Sequence, residues 1–185
     1  ANTWTDEVGD VTDHHNYVGG GPCSWCITTG AVNVYSHFDD VGGGLLAPAF
    51  LQVEDRPFIY SEWGDEPPTP WRAEAPPLQA LYGMGLQGWD AAFQFTASGF
   101  GWIGGWPNNS PFAAETPTVL GMGPALSTAI RRGDVAEGEL SAAIRTTLED
   151  AATGVDLRAH PWPGTGFNGG DSLAVPGTAA LEGRV

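Results

Sequence analysis

Pro57-Phe58-Ile59-Tyr60-Ser61-Glu62-Trp63-Gly64 is a short apolar run that delivers one carboxylate at its end. Gly88-Trp89-Asp90-Ala91-Ala92-Phe93-Gln94-Phe95-Thr96 is a second apolar run. Between them a helix opens at Pro76 or Pro77, where proline is tolerated in the first turn, and carries Leu78, Leu81, Tyr82 and Gly85 at i, i+3, i+4 and i+7. That stripe reads as core. Strand, helix and strand make a βαβ unit, so the two strands are expected to be parallel neighbours. Chemistry in such sheets gathers at the carboxyl ends of the strands, which singles out Glu62.

Outward from this unit, composition sets the limits. The chain has 185 residues, enough for one domain with a modest core. A hydrophobic content of 42% with eight tryptophans argues for a folded core, while 27 glycines and 15 prolines predict long loops and little helix. The 22 acidic residues face seven arginines and no lysine, a formal net charge of -15. That charge repels nucleic acid and anionic membrane, so neither is an expected partner. No apolar stretch approaches the roughly twenty residues of a membrane span. Ala1-Asn2-Thr3-Trp4 carries no signal-peptide pattern, which leaves secretion open.

Toward the N-terminus, Val11-Thr12-Asp13-His14-His15-Asn16-Tyr17-Val18 reads as a strand end with a dense polar cluster, followed by Gly19-Gly20-Gly21-Pro22. Adjacent residues of a strand point to opposite faces, so Asp13, His15 and Tyr17 share one face and His14 takes the other. Two readings fit: a hydrogen-bonded loop cluster, or a substrate-binding strand end. Cys23 and Cys26 are the only cysteines. Two loop thiols or a local disulfide is the plainer reading of Cys-Ser-Trp-Cys; a zinc site would need two of His14, His15 and His37, and the spacing matches no standard module. Ala31 to Tyr35 is a candidate short strand. Gly42-Gly43-Gly44 lacks the Lys-Ser/Thr of a phosphate loop. Leu45 to Gln52 reads as a short helix.

Toward the C-terminus, Thr116-Pro117 opens a helix, Pro124 restarts it, and Arg131-Arg132-Gly133 ends it. Glu139 to Thr146 fits helix or strand, Thr147 to Asp150 resembles a capping box, and irregular structure is expected from Gly154 on. The organisation expected is an α/β unit over 1–135 and a partly irregular C-terminal extension over 136–185.

A carboxylate at a strand end, with Trp63 beside it and Trp89-Asp90 on the next strand, suits sugar chemistry. Sugar rings pack C–H faces on aromatic rings, and carboxylates and asparagines satisfy their hydroxyls. Glycoside cleavage ordinarily needs two carboxyls, about 5–5.5 Å apart in retaining enzymes. A serine hydrolase is not expected: there is no Gly-x-Ser-x-Gly elbow, and no histidine lies in obvious register with Ser61. Metal-assisted hydrolysis through Asp13, His14 and His15 is an outside alternative; no metal or cofactor is otherwise implied.

Tyr60-Ser61-Glu62-Trp63, Arg72-Ala73-Glu74-Ala75-Pro76, Tyr82-Gly83, Leu86-Gln87-Gly88-Trp89-Asp90 and Asp13-His14-His15-Asn16-Tyr17-Val18-Gly19-Gly20-Gly21 together resemble the C-terminal part of clan A glycoside hydrolases. These are (β/α)8 barrels that include cellulases, β-galactosidases and agarases. The resemblance covers roughly residues 10–135. It implies a partial (β/α)8-type barrel segment with few parallel strands and long Gly/Pro-rich loops, acting as a retaining β-glycosidase or endoglucanase on a β-glycan or oligosaccharide. It implies secretion, and self-association to cover open sheet edges. By the resemblance Glu62 matches the nucleophile on the seventh strand, Trp89-Asp90 lies on the eighth, and Tyr17 near the sixth. No Asn-Glu pair, the mark of the clan's acid/base, occurs in the chain. A substitute acid must come from Asp13, Glu66, Glu74 or Asp90, with Asp13 and Asp90 favoured as strand-end residues, Glu74 read as a helix cap and Glu66 as loop surface. His15, Asn16, Tyr17, Trp63, Trp89, Trp102 and Trp106 are the expected substrate contacts. The alternative is a non-catalytic carbohydrate-binding or oligomerising segment.

Overall fold

The structure is a computed structural model that describes residues 8–18, 36–39, 43–65, 69–96, 114, 116–143, 149 and 178–185. Cys23, Cys26, Glu66, Trp102, Trp106 and the candidate strand 31–35 lie outside the described residues, as does most of 144–150.

Three strands, β1 (Thr12–Val18), β2 (Phe58–Asp65) and β3 (Ala91–Gln94), form one sheet in the order β1-β2-β3, parallel at both junctions. The βαβ reading of residues 57–96 is thus met. Among the described residues the sheet is open and small; a closed barrel takes eight strands.

Register fixes what each face carries. Asp13 pairs with Ile59 and His15 with Glu62, so two steps along β1 match three along β2. On the other side Tyr60 pairs with Ala92 and Trp63 with Gln94, the same excess of one residue in β2. A bulge at Ser61-Glu62 therefore interrupts the alternation of the central strand. Phe58 and Tyr60 face the core before it and Trp63 faces the core after it, all three buried. Strict alternation would instead send Glu62 inward beside Tyr60. Burying an unpaired carboxylate is far costlier than burying an indole, and the bulge avoids it.

The core lies on one side of the sheet. The 3-10 helix Gly44–Leu51 contributes Leu45, Leu46 and Ala49, and a helix over Ala75–Pro77 continues as π-helical Leu78–Leu86. Its wide turns show in the bond from Gln87 N–H to Tyr82 O at 2.8 Å, a span of five residues. Leu78, Tyr82 and Gly85 are buried as their spacing predicts, while Leu81 is only half-buried. Trp89 is the centre of the packing: its ring meets Phe58 at 5.3 Å, Tyr60 at 5.4 Å and Tyr82 at 6.0 Å between centroids. Gly83 makes this approach feasible, because a Cβ there would stand 2.3 Å from the Trp89 ring.

The helix at 117 is split in two, α-helical over Pro117–Leu120 and again over Gly123–Arg132, and the second ends at Gly133 with φ +65°, as its sequence predicts. The C-terminal residues are better ordered than expected: Ala179–Glu182 is a helical turn, and Ala180 is buried in the same core as the sheet. Residues 178–185 thus pack as part of that body. Gln87, fully buried, holds them. Its amide nitrogen donates to Ala180 O and Gly183 O, both at 2.7 Å, and its oxygen accepts from Val185 N–H at 3.2 Å. No helix among the described residues is long and apolar enough to cross a membrane.

Two tests follow from this packing. Gln87→Leu strips partners from buried carbonyls and is expected to cost on the order of 2–4 kcal/mol. Denaturant unfolding should show the loss, and carboxypeptidase should trim the chain faster; an unchanged trimming rate would count against Gln87 as the tether. The second concerns pH. Burial pushes the phenols of Tyr60 and Tyr82 well above their ordinary range, the nearby Tyr17 adding to the effect on Tyr60. The folded state therefore holds them neutral. Their contribution is intact below the ordinary phenol pKa of about 10 and is lost as pH rises beyond it, because the unfolded chain releases those protons first. Stability should fall between roughly pH 10 and 12, and Tyr60→Phe/Tyr82→Phe should flatten that fall.

Candidate functional site

The face of the sheet away from the core carries the polar cluster. β1 places Asp13, His15 and Tyr17 there, the shared face expected from alternation. Thr12, His14 and Asn16 take the opposite face. His14 stacks on Phe58 with centroids 5.8 Å apart. The Asn16 amide donates to Gly44 O at 2.6 Å, and Tyr60 hydroxyl donates to the Asn16 carbonyl at 3.2 Å. Asn16 is therefore a tether for the 3-10 helix rather than a substrate contact. Because His14 faces away from Asp13 and His15, these three do not form a metal-binding set.

The bulge adds both Ser61 and Glu62 to the outer face. The Tyr17 hydroxyl donates to Glu62 Oε2. His15 Nδ1 lies 3.4 Å from the same oxygen, and its Nε2 lies 2.8 Å from Ser61 Oγ and 3.8 Å from Asp13 Oδ2. Asp13 in turn accepts from Ser61 N–H at 3.2 Å and from Ser61 Oγ at 2.8 Å. The imidazole thus sits between two carboxylates, within reach of solvent: the side chains of His15, Asp13 and Glu62 are 48%, 49% and 32% exposed.

Gly64 seats Tyr17. A Cβ at Gly64 would lie 2.9 Å from Tyr17 Cδ1 and 3.4 Å from Phe95 O, so only a bare backbone leaves room for the ring. Tyr17 also meets Phe95 edge-on, centroids 6.3 Å apart. On β3, Ala92 packs against the core, which turns Phe93 and Phe95 outward; they are 57% and 37% exposed. These two phenylalanines and Ser61 were not among the expected site residues. The pattern Phe93-Gln94-Phe95 does carry the signal, two aromatics one strand period apart.

Further expected roles need correction. Trp63 and Trp89 are 4% and 2% exposed, so they build the core and offer no ring to a sugar. Asp90 precedes β3 and stands at the amino end of the sheet, where its carboxylate accepts from Phe58 N–H at 2.9 Å. Four residues of strand, about 13 Å, separate Phe58 from Glu62, far beyond the spacing of a retaining pair. Glu74 makes no helix cap through its side chain. It accepts instead from Ser36 Oγ and from His37 N–H, the latter at 2.9 Å. This holds segment 36–39 where His37 Nε2 meets Asp65 Oδ2 at 3.0 Å, both side chains buried. That pair lies on the core side of β2 and braces its carboxyl end.

If Gly64 exists to seat Tyr17, Gly64→Ala should cost on the order of 1–3 kcal/mol by overpacking. Adding Tyr17→Leu should recover part of that loss, a coupling that a double-mutant cycle in denaturant unfolding measures. Strict additivity of the two changes would show that the contact is not the source of the cost.

Comparison with known proteins leaves the geometry to speak for itself: no family model, no curated protein and no solved structure matches the chain.

Proposed function

We propose that this surface is the nucleophile side of a retaining glycoside hydrolase site acting on a β-linked glucan or a related β-glycan. The observation that carries the reading is Glu62 itself, exposed by the bulge in the carboxyl half of the central parallel strand and oriented by the Tyr17 hydroxyl. A carboxylate that attacks an anomeric carbon must be ionised and held in one direction. The phenol bond engages Oε2, so attack falls to Oε1 in this reading. Phe93 and Phe95, on the same face, suit the apolar flank of a sugar ring in place of the two buried tryptophans.

Of the carboxyls considered for the general acid that lie among the described residues, Asp13 is the one on the Glu62 face, beyond His15. In this reading it takes the proton-donating role. The three strands correspond to the sixth, seventh and eighth of a clan A barrel, and the remaining wall comes from beyond this sheet, by self-association or from further chain. Secretion goes with the same reading.

A slow-turnover 2-fluoro-β-glycoside tests the proposal. Glu62 should carry the trapped sugar by peptide mapping, and Glu62→Gln should lower glycoside turnover on the order of 10³-fold. Unlabelled Glu62 with unchanged turnover would overturn it.

A second reading, glycan binding without hydrolysis, is favoured by the exposure of Phe93. It is recognised by saturable β-glycan binding that Phe93→Ala weakens, with no reducing sugar released.

A further inference from the structure

Strand register brings together three side chains that glycoside cleavage does not use as a set. Ser61 Oγ lies 2.8 Å from His15 Nε2, and the other ring nitrogen lies 3.4 Å from Glu62 Oε2. Hydroxyl, imidazole and carboxylate in this order are the parts of an activated nucleophile, its base and the group that orients the base. We propose that Ser61 is the nucleophile of a second activity at this surface, the hydrolysis of short, activated carboxylic esters, with His15 as general base and Glu62 as the orienting carboxylate.

Hydrogen-bond accounting supports the assignment. A neutral His15 with its proton on Nδ1 leaves Nε2 as the acceptor for the Ser61 hydroxyl, with Glu62 Oε2 as the carboxylate neighbour 3.4 Å from Nδ1. Asp13 Oδ2 competes for the same hydroxyl proton, while Asp13 Oδ1 holds the Ser61 N–H, so the serine keeps its place in either arrangement. The imidazolium formed during attack has Glu62 Oε2 at 3.4 Å from one nitrogen and Asp13 Oδ2 at 3.8 Å from the other.

The step balances without a further reagent. Ser61 Oγ bonds to the ester carbonyl carbon as its proton passes to His15 Nε2. The adduct collapses by breaking the bond to the alcohol oxygen, and the alcohol leaves with the proton from Nε2. Water then adds to the acyl-serine, its proton going to Nε2. The Ser61 oxygen departs and takes that proton back, releasing a carboxylic acid.

The substrate class follows from what surrounds the serine. Ser61 N–H is engaged by Asp13 and does not serve as an oxyanion donor; lacking one such donor costs about 10²–10³ in rate. Esters with good leaving groups tolerate that loss and amides do not. The half-exposed His15 and Asp13 favour short acyl groups over long chains that need an enclosed pocket.

The test uses the full chain with p-nitrophenyl acetate as substrate and an alkyl fluorophosphonate as covalent probe. The phosphonyl label should map to Ser61, and Ser61→Ala should lower ester hydrolysis on the order of 100-fold. His15→Ala should do the same within about tenfold, with partial recovery on adding imidazole. Ser127→Ala is the control and should change nothing, since that hydroxyl donates to Pro124 O on a separate helix. A label on another residue, no label at all, or hydrolysis indifferent to Ser61→Ala would overturn the proposal. Labelling the unmutated chain keeps the test decisive if a variant fails to fold. The two readings of the surface separate cleanly. Phosphonyl on Ser61 without sugar on Glu62 sinks the glycosidase alone, and the reverse result sinks the esterase alone.

Discussion

The one extra residue at Ser61-Glu62 is the constraint on which the rest of the sheet depends. Both neighbours of β2 take their register around it, β1 between Asp13 and His15 and β3 between Ala92 and Gln94. Before the bulge the chain buries Phe58 and Tyr60; after it, Trp63. Because a pleated strand alternates, inserting one residue exchanges the faces of everything that follows. Without it Trp63 would stand in solvent and Glu62 in the aromatic core. The difference between burying an indole and burying an unpaired carboxylate decides the register.

From that exchange the division of the molecule follows. One face of the sheet is packed by Trp89, Tyr82, Leu45 and Leu46 and closed by the C-terminal residues that Gln87 holds. The other face collects Asp13, His15, Tyr17, Ser61 and Glu62 over a span of two strands. Core and site therefore share a strand but not a face. The buried His37–Asp65 pair lies beyond the bulge on the core side, and it braces the carboxyl end of β2 without entering the polar cluster. That contact ties segment 36–39 to the strand end beyond Glu62.

How much of this could be read from sequence depends on which residues obey the period. The βαβ unit, the parallel pairing, and the common face of Asp13, His15 and Tyr17 were legible, because each follows from local alternation or from a proline-opened helix. Glu62 was legible as a carboxylate in the carboxyl half of the strand, although β2 runs past it to Asp65. The roles of Trp63 and Trp89 were not, since an aromatic residue suits a core and a sugar platform equally and only burial separates them. Asp90 was misplaced although chain direction alone puts it at the start of the 88–96 run, the amino end of the strand, where it accepts from Phe58 N–H. The Ser61–His15 contact was invisible for another reason. It joins residues 46 positions apart and depends on a bulge that no local pattern announces.

Two chemistries proposed for one surface must also be compatible in charge. Glycoside attack needs Glu62 as a free carboxylate with Oε1 open. Serine activation needs the same carboxylate beside His15, with Oε2 engaged. Tyr17 and His15 both address Oε2, so the two demands fall on different oxygens of one side chain. The arrangement that positions the carboxylate for one reaction thus leaves it able to orient the base for the other. Asp13 bears on both: it is the proposed proton donor of glycoside cleavage, and it accepts hydrogen bonds from Ser61 N–H and Oγ, which holds the serine in place while competing with His15 Nε2 for its hydroxyl.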